Sequence, residues 1–523
     1  MESSFCYTPD SSIPLDINHD VMFREGQNFR GEVTYTPRVL VVDLPENLRS
    51  IREECPLYRS ADEDKTDAPW EGALEVIRKD STRKNPFLEE FANESANSSS
   101  DVIPQVANKP APDLNYDFNR SDTVWSDFLK TNLHPRSFCL LNDLVSAGDT
   151  NSIDLYSNGE EMYMKEGKEQ IEEALRRLSE DCDYLQGFHL IFDSYNAFAG
   201  VSSQILQYLD DEYKRVPSLC FPVYQDNKDT PIDDTKVQMH RLYAALNSMN
   251  SMNSYSTFFS PLSFSNDIVK LSQPFISFPH LQYDRNLLYH TSAVLAAAIE
   301  TLTSAYRLRS MKFSMWDITS AMSTYGRKLV SSSTSLPFPL AENTYLNAMV
   351  QGDHPDYYMT SLTPFYKPEA EKTLFQSAVL RGIPVNKFQN LGKSIYHTVQ
   401  PEEIFGEYLN KYSSSSVTTA TVFPEMCSVA TPFPKIFKDS VGNGGFLNFD
   451  SRSSHKDISK VPVAAAFCSS DSSAEFLEDL LTQAKKSSFK EFARCTESTY
   501  EKDNYAEVIE NILGLQDNYK NYQ

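Results

Sequence analysis

Residues 185–224 read LQGFHLIFDSYNAFAGVSSQILQYLDDEYKRVPSLCFPVY, and their pattern is the clearest indication of the fold class. It opens with an apolar run at 185–192, which predicts a strand, and continues through a turn-forming segment at 193–200. Apolar residues then recur at the spacing of an amphipathic helix: Val201, Ile205 and Leu209. A second apolar run at 219–224 predicts another strand. Strand, loop, helix and strand in this order predict an α/β layer with a parallel sheet and a right-handed crossover.

Other segments extend this pattern in both directions. Residues 38–44 are mostly apolar and lie between Pro37 and Pro45, which predicts a strand buried on both faces. A helix is predicted over 171–182 from its apolar spacing, and another is predicted after Asp234, which is a suitable cap. A mostly apolar stretch at 286–306 predicts a long core helix.

The end of the chain carries a strand pattern at 460–468, followed by a predicted capping box. Ser472 and Glu475 have the spacing at which a serine hydroxyl and a glutamate cap the first turn of a helix. A last helix is predicted from its apolar positions: Tyr505, Val508, Ile509 and Ile512.

Composition limits the functions that the chain can have. Its 523 residues carry a formal net charge of −24, and no cluster of lysine and arginine offers a face for nucleic acid. The eight cysteines never form a C-x-x-C pair, which argues against a zinc site or a disulfide framework and favours free thiols in a reducing compartment. The first 20 residues resemble no signal or transit peptide. Residues 286–306 are too polar for a membrane span, so we expect a cytosolic protein whose membrane contact, if any, is peripheral.

The loop at the carboxyl end of the predicted strand 185–192 is the place where an α/β protein would bind a phosphate. It consists of Asp193, Ser194, Tyr195, Asn196, Ala197, Phe198, Ala199 and Gly200. A phosphate loop needs glycines, whose bare backbone lets N–H groups approach the oxygens. This loop has one glycine, two bulky aromatics and a carboxylate, and Asp193 at about 5 Å from a phosphate would cost roughly 3 kcal/mol. An ordinary strand-to-helix connection is therefore favoured over a nucleotide site.

Two further acids admit two interpretations. Asp43 ends the predicted strand at 38–44 and Glu46 follows it closely. Paired carboxylates at a strand end could hold Mg²⁺ beside a phosphate. Two surface acids beside a turn proline are commoner, and we favour that interpretation. A serine-hydrolase elbow at Gly200 is disfavoured, because Gln204 stands where Gly-x-Ser-x-Gly requires glycine.

Several strings resemble tubulins. Residues 182–188 (CDYLQGF) resemble the segment that leads into the tubulin phosphate loop, 36–44 (TPRVLVVDL) resembles a tubulin strand, and 460–523 resembles its closing strand and helices. More specifically, the chain resembles the Misato family, a divergent branch of the tubulin superfamily. The strings that carry this are 34–38 (TYTPR), 124–129 (VWSDFL), 134–137 (HPRS), 183–188 (DYLQGF) and 337–341 (PFPLA).

The resemblance implies a tubulin-like α/β fold with four segments. These are a degenerate GTPase-type domain at 20–285 with an exposed insertion at about 92–122, a core helix at 286–308, an intermediate α+β domain at 309–459, and a carboxyl-terminal strand and helices at 460–523. The strand with which tubulins begin has no counterpart before residue 22, so this first strand is expected to be missing. Tubulins have Gly-Gly-Gly-Thr-Gly-Ser-Gly where this chain keeps Gly200, and Tyr289 falls at the position that stacks on the base.

The resemblance also implies a role. We expect a protein without enzymatic activity or a bound cofactor, and the alternative is a slow GTPase that binds GTP and Mg²⁺ through Asp43, Glu46 and Tyr289. Family membership implies a role in mitochondrial distribution, morphology and inheritance, with links to the cytoskeleton and the spindle. The implied partners are tubulin, the cytosolic chaperonin or mitochondrial surface proteins. The implied location is the cytoplasm and the cytosolic face of the mitochondrial outer membrane.

Overall fold

The structure is a computed structural model, and it describes most of the chain in separate ranges. These are residues 16–28, 31, 33–48, 86–89, 116, 118–120, 123–141, 155–225, 234–270, 275–310, 312–346, 359–368, 373–384, 387, 400–412, 415–448, 458–487 and 502–520. The predicted insertion at 92–122 lies outside the described residues except at positions 116 and 118–120.

Within these ranges the chain forms α-helices joined to short strands. The α-helices are α1 (Tyr156–Met162), α2 (Lys168–Glu180), α3 (Ala197–Glu212), α4 (Thr235–Tyr255), α5 (Leu288–Ser304), α6 (Met315–Met322), α7 (Pro401–Tyr412), α8 (Ser473–Lys486) and α9 (Lys502–Lys520). The strands are β1 (Phe23–Gln27), β2 (Val33–Pro37), β3 (Val41–Asp43), β4 (Phe138–Leu140), β5 (Phe188–Asp193), β6 (Ser218–Tyr224), β7 (Phe258–Phe259), β8 (Leu262–Ser263), β9 (Ser331–Ser335), β10 (Thr360–Ser361), β11 (Thr373–Arg381), β12 (Ser415–Phe423), β13 (Cys427–Ser428), β14 (Lys460–Val461) and β15 (Val463–Ser470). Shorter helical turns are His19–Val21, Pro45–Leu48, Trp125–Phe128, Pro135–Ser137, the π-helical Tyr163–Gly167, and Thr324–Gly326.

The chain divides into two compact units. Unit 1 consists of Met1–Ser12, His19–Asp143 and Glu166–Asp183. Unit 2 consists of Ile13–Asn18, Leu144–Lys165 and Tyr184–Gln523. The division of the chain into four segments stays a prediction.

Unit 1 contains two small sheets and helix α2. Strands β1 and β2 form an antiparallel pair, and β3 pairs in parallel with β4. The predicted strand at 38–44 is wrong in its length, because β3 covers only Val41–Asp43 and each of its residues is partly exposed. Residues 38 and 39 do not extend the strand, since the N–H of Arg38 donates to the Met22 carbonyl and that of Val39 donates to the Pro37 carbonyl.

The first sheet of unit 2 confirms the α/β pattern read from residues 185–224. Its order is β5-β6-β7, with β8 also paired to β6, and these pairings are parallel. Helix α3 connects β5 to β6, and α4 follows β6. Asp234 caps α4 as predicted, because its Oδ1 accepts a hydrogen bond of 2.8 Å from the backbone N–H of Lys236.

The second sheet of unit 2 has the order β10-β9-β15-β11-β12. Strands β11 and β12 are parallel, whereas β15 runs antiparallel to both β11 and β9. Helix α5 packs against β15 and β11 as the predicted core helix, with buried residues along most of its length. The predicted strand at 460–468 is interrupted at Pro462, so that β14 pairs with β13 and β15 enters the large sheet.

The predicted capping box before α8 is absent. Ser472 already has helical backbone angles and its side chain makes no cap hydrogen bond. Its Oγ lies 3.0 Å from the Oγ of Ser470 instead. A neighbouring hydroxyl therefore competes successfully with the backbone amide.

A buried ionic cluster lies in unit 2 beside α5. Glu300 Oε1 is 3.2 Å from Arg307 Nη2 and 3.8 Å from Arg381 Nη1, and Arg381 Nη2 is 3.8 Å from Glu425 Oε1. Burial alone would raise the pKa of Glu300, but the two guanidiniums outweigh it and hold that pKa well below its ordinary value. Glu300 is therefore ionised inside the core, where its charge is balanced by the arginines.

The cysteines and the longest apolar helices bear on two of the predictions made for the whole chain. Cys139, Cys182, Cys220, Cys427 and Cys468 are free thiols, as predicted, and all but Cys182 are buried. None of the described helices is both long enough and apolar enough to cross a bilayer.

Candidate functional site

The predicted loop 193–200 is shorter in the structure than in the sequence analysis. Strand β5 ends at Asp193 and α3 begins at Ala197, so the connection is Ser194, Tyr195 and Asn196, and the residues after it form the first turn of α3. The helix begins there because Asn196 is its cap. The Asn196 Oδ1 accepts a hydrogen bond of 2.9 Å from the backbone N–H of Phe198.

Asp193 and Asn196 together occupy the amino terminus of α3. Asp193 Oδ1 accepts a hydrogen bond of 2.9 Å from the N–H of Tyr195, and its Oδ2 accepts one of 2.9 Å from the Asn196 side-chain amide. The backbone donors at the start of a helix are the groups that a phosphate uses. Here the Asn196 side chain binds one of those donors, the N–H of Phe198, and the Asp193 carboxylate stands beside them, bound to the N–H of Tyr195 just before the cap.

Tyr195 is fixed over the same end of the sheet. Its hydroxyl donates to the carbonyl of Ile268, and its ring centroid lies 5.6 Å from that of Tyr224 in an edge-to-face arrangement. The guanidinium of Arg241 lies 5.3 Å from the Tyr195 ring centroid. Ser194 is fully buried, and its N–H donates to the carbonyl of Val223. The loop is therefore anchored by packing and by hydrogen bonds.

Gly200 contacts another helix. A Cβ added at Gly200 would lie 2.1 Å from the carbonyl oxygen of Tyr156 in α1, and one added at Gly159 would lie 1.7 Å from the carbonyl oxygen of Ala197. Two glycines thus let the backbones of α1 and α3 approach each other directly. The glycine that the sequence analysis assigned to a degenerate phosphate loop serves helix packing.

A carboxyl group lies beside this contact. Glu160 Oε1 accepts a hydrogen bond of 3.2 Å from the Gln204 side-chain amide, and burial raises the pKa of Glu160. Glu160 is partly buried in this pairing rather than solvated on an open helix face. The Ser203 hydroxyl donates to the Ala199 carbonyl at 2.9 Å, one turn earlier in α3.

Asp43 has a structural environment within unit 1. Its Oδ1 accepts from the N–H of Leu44 at 2.8 Å and from the Asn47 amide at 2.7 Å. Its Oδ2 accepts from Trp125 Nε1 at 2.8 Å. Glu46 lies on the helical turn Pro45–Leu48 and is exposed. This geometry favours a role for Asp43 in holding the turn and Trp125, rather than in holding Mg²⁺.

Tyr289 lies in the first turn of α5. Its hydroxyl donates to the carbonyl of Pro432, and burial raises the pKa of the Tyr289 phenol. The neutral phenol therefore links α5 to the segment after β13. No group of three or more His, Cys, Asp or Glu side chains that could hold a metal ion occurs within the described ranges.

Gly159 is the most informative residue of this region, and it was not among the predicted site residues. A glycine inside a helical segment is unfavourable by about 1 kcal/mol relative to alanine, so it indicates close approach of another backbone. That signal was present in α1, but the partner of Gly159 could not be read from the sequence.

Comparisons with known proteins agree with the resemblance. A family model described as "Tubulin domain" matches residues 112–308, and one described as "Misato Segment II tubulin-like domain" matches residues 1–93. "Protein misato homolog 1" of Pongo pygmaeus is 30% identical over 536 aligned residues, covering 98% of this chain and 92% of that protein. The chain belongs to the Misato family.

Other Misato relatives align over similar lengths. "Protein misato homolog 1" of Homo sapiens is 29% identical, covering 98% of this chain and 93% of that protein. "Protein misato" of Drosophila melanogaster is 28% identical, covering 97% of this chain and 92% of that protein. The chain is thus a tubulin-like Misato protein, and the parallel sheets and helices described above are consistent with that fold.

Proposed function

We propose that this Misato protein is a non-catalytic, tubulin-like binding protein that acts in mitochondrial distribution, morphology and inheritance. The observation that carries the non-catalytic part is the amino terminus of α3. Asn196 binds the Phe198 N–H there, Asp193 places a carboxylate beside it, and Gly200 packs directly against α1. The mitochondrial part rests on family membership.

Calorimetric titration of GTP with Mg²⁺ into the purified chain tests the non-catalytic part. We expect no heat of binding at micromolar protein. A matched variant, Asp193→Asn, removes the carboxylate that would repel a phosphate by roughly 3 kcal/mol. Micromolar binding by the unmodified chain, accompanied by phosphate release, would establish the alternative function of a slow GTPase. The strand, loop and helix of β5 and α3 favour that alternative, because they form the framework of a phosphate site.

The binding part of the proposal involves the acidic surface of unit 2. Exposed acids follow one face of α9 at helical spacing: Asp503, Glu507, Glu510 and Asp517. The net charge of −24 favours partners with a basic face, because electrostatic attraction speeds association. Tubulin, the cytosolic chaperonin and proteins on the mitochondrial surface are the partner classes that family membership suggests.

Charge-neutral variants test this surface. We expect Glu507→Gln with Glu510→Gln to weaken capture of the partner from cell extract, with the largest loss at low salt. The matched control is Lys485→Gln with Lys486→Gln, which changes two exposed charges on α8 in the opposite sense. Full capture by the acidic-face variant, with a circular dichroism spectrum like that of the parent, would contradict this assignment. Fractionation should place the protein in the cytoplasm and on the cytosolic face of mitochondria, where alkali should release it.

A further inference from the structure

Strand β12 is the last strand of the second sheet of unit 2, and its sequence lacks the residue types that usually protect an edge. It is nine residues long, reads SSVTTATVF, and contains neither a charged residue nor a proline. In the sheet order β10-β9-β15-β11-β12 it is the last strand, and among the residues that the structure describes it pairs with β11 alone. Proteins usually protect a long edge strand with lysine, proline or a bulge, because unpaired backbone groups attract another strand.

The geometry of β12 is regular enough to accept such a strand. Its parallel register with β11 runs without a shift from Phe375↔Val417 to Arg381↔Phe423. In a parallel pair, successive backbone groups of one strand point alternately toward its partner and away from it. The N–H and C=O groups that point away from β11 form a row at the edge of the sheet.

The two halves of β12 differ in exposure. Thr421 and Phe423 are each 3% exposed, whereas Val417 is 48% exposed. Residues 418–420 are partly exposed. The carboxyl-terminal half thus anchors the strand in the core, and the amino-terminal half is open to solvent. The other edge strand of this sheet, β10, has only two residues and offers a much shorter template.

Helix α7 places negative charge beside the open half. Thr418 Oγ1 donates to Asn410 Oδ1 at 3.2 Å, which brings the Asn410 face of α7 next to β12. Glu403 and Glu407 lie two turns and one turn before Asn410, so they share that face, and both are exposed. The uncharged strand β12 is therefore flanked by an acidic rim, which consists of Glu403 and Glu407 on α7. A second copy of this chain would bring the same rim and a net charge of −24, which disfavours pairing between two copies.

We propose that the edge of β12 is a docking site for an extended, β-prone peptide segment of another protein, flanked by lysine or arginine. The added strand would pair with the backbone of the open half of β12, and its basic flanks would face Glu403 and Glu407. This names one surface of the binding function proposed above and rests on that function.

The test uses the full chain and a synthetic peptide, acetyl-KKTVTVTVTKK-amide, labelled with fluorescein and followed by anisotropy. Hydrogen exchange should show added protection at 415–420 when the peptide binds. Val417→Lys places a charge on the edge and should weaken binding by about tenfold or more, whereas the matched Val417→Thr should not. Glu403→Gln with Glu407→Gln should weaken binding about fivefold. A peptide with proline at its centre should not bind.

Several results would overturn the proposal. These are absence of peptide binding at millimolar concentration, equal affinity of the Val417→Lys and parent chains, or protection confined to other segments. A concentration-dependent dimer in sedimentation that Val417→Lys abolishes would make a second copy the occupant and would overturn the basic partner. The exchange map on the unmodified chain remains decisive if a variant does not fold. Calorimetry with GTP reads a different part of the chain, so the docking proposal and the non-catalytic proposal can fail separately.

Discussion

Replacing Gly200 with alanine is expected to destabilise unit 2. The new Cβ would lie 2.1 Å from the Tyr156 carbonyl oxygen, so α1 and α3 must separate by roughly one ångström or more to restore ordinary contact. Overpacking of this kind costs about 3 kcal/mol, and the better helix propensity of alanine offsets about 1 kcal/mol. The net loss in the free energy of unfolding is therefore about 2 kcal/mol, measured by urea unfolding followed by circular dichroism.

Gly514→Ala is the matched control for this substitution. Gly514 lies inside α9, and a Cβ there would meet nothing within 4 Å. The same change should therefore stabilise the protein by about 0.5 to 1 kcal/mol. If Gly200→Ala also raised stability, the close contact between α1 and α3 would be wrong. If it left stability unchanged and abolished a measured GTP affinity, Gly200 would belong to a phosphate site.

Three further outcomes are expected. Asp43→Asn should lower the stability of unit 1 by about 1 to 3 kcal/mol, because Trp125 Nε1 loses a charged acceptor, and millimolar Mg²⁺ should not change the melting temperature of the parent chain. Burial and Arg307 lower the pKa of His189 from 6.5 to about 4, so the unfolded chain binds a proton more readily than the folded chain. The contribution of neutral His189 to the free energy of unfolding should therefore be fully present above pH 6.5 and fall by about 2 to 3 kcal/mol toward pH 4. His189→Gln should flatten this pH dependence in thermal melts. Glu300→Gln should lower the free energy of unfolding, measured in urea, by about 3 to 5 kcal/mol, because Arg307 and Arg381 keep their buried charges without the carboxylate. A loss below about 1 kcal/mol would contradict the ionic cluster.

Local patterns in the sequence predicted the first sheet of unit 2 well. The apolar runs at 185–192 and 219–224 lie on neighbouring parallel strands, and α5 is buried as its composition indicates. These features depend on residues close together in the chain, where periodicity and capping chemistry act directly.

The order of the second sheet could not be predicted, because its pairings join distant residues. Ser331 lies opposite Cys468, and Gln376 lies opposite Thr418. Strand β9 is also misleading in composition, since SSSTS is polar and yet buried throughout. The Thr334 hydroxyl, for example, donates to the Ala464 carbonyl in β15 at 3.1 Å, and hydrophobic periodicity does not predict a buried polar strand of this kind.

The candidate loop at 193–200 does connect a strand to a helix, as predicted, but α3 begins inside that range at Ala197. Gly200 was interpreted as the remainder of a phosphate loop, whereas in the structure it packs against the backbone of Tyr156. Asn196 is the cap, and the sequence analysis did not single it out for that role. Steric contacts between distant backbones and the choice among neighbouring caps both depend on tertiary geometry.

The contact between Gly159 and Gly200 also bears on how this family could change. Restoring glycines at 195–199 would remove Tyr195 and the Asn196 cap, and with them the bonds that hold the start of α3. The α1 backbone would still lie against Gly200. If nucleotide binding is absent as proposed, a lineage that gained it would have to alter the helix, its cap and the loop together, and each change alone would be expected to lower stability. The proposed non-catalytic state would then be hard to reverse by single substitutions, because less stable intermediate sequences would be selected against before a new site could function.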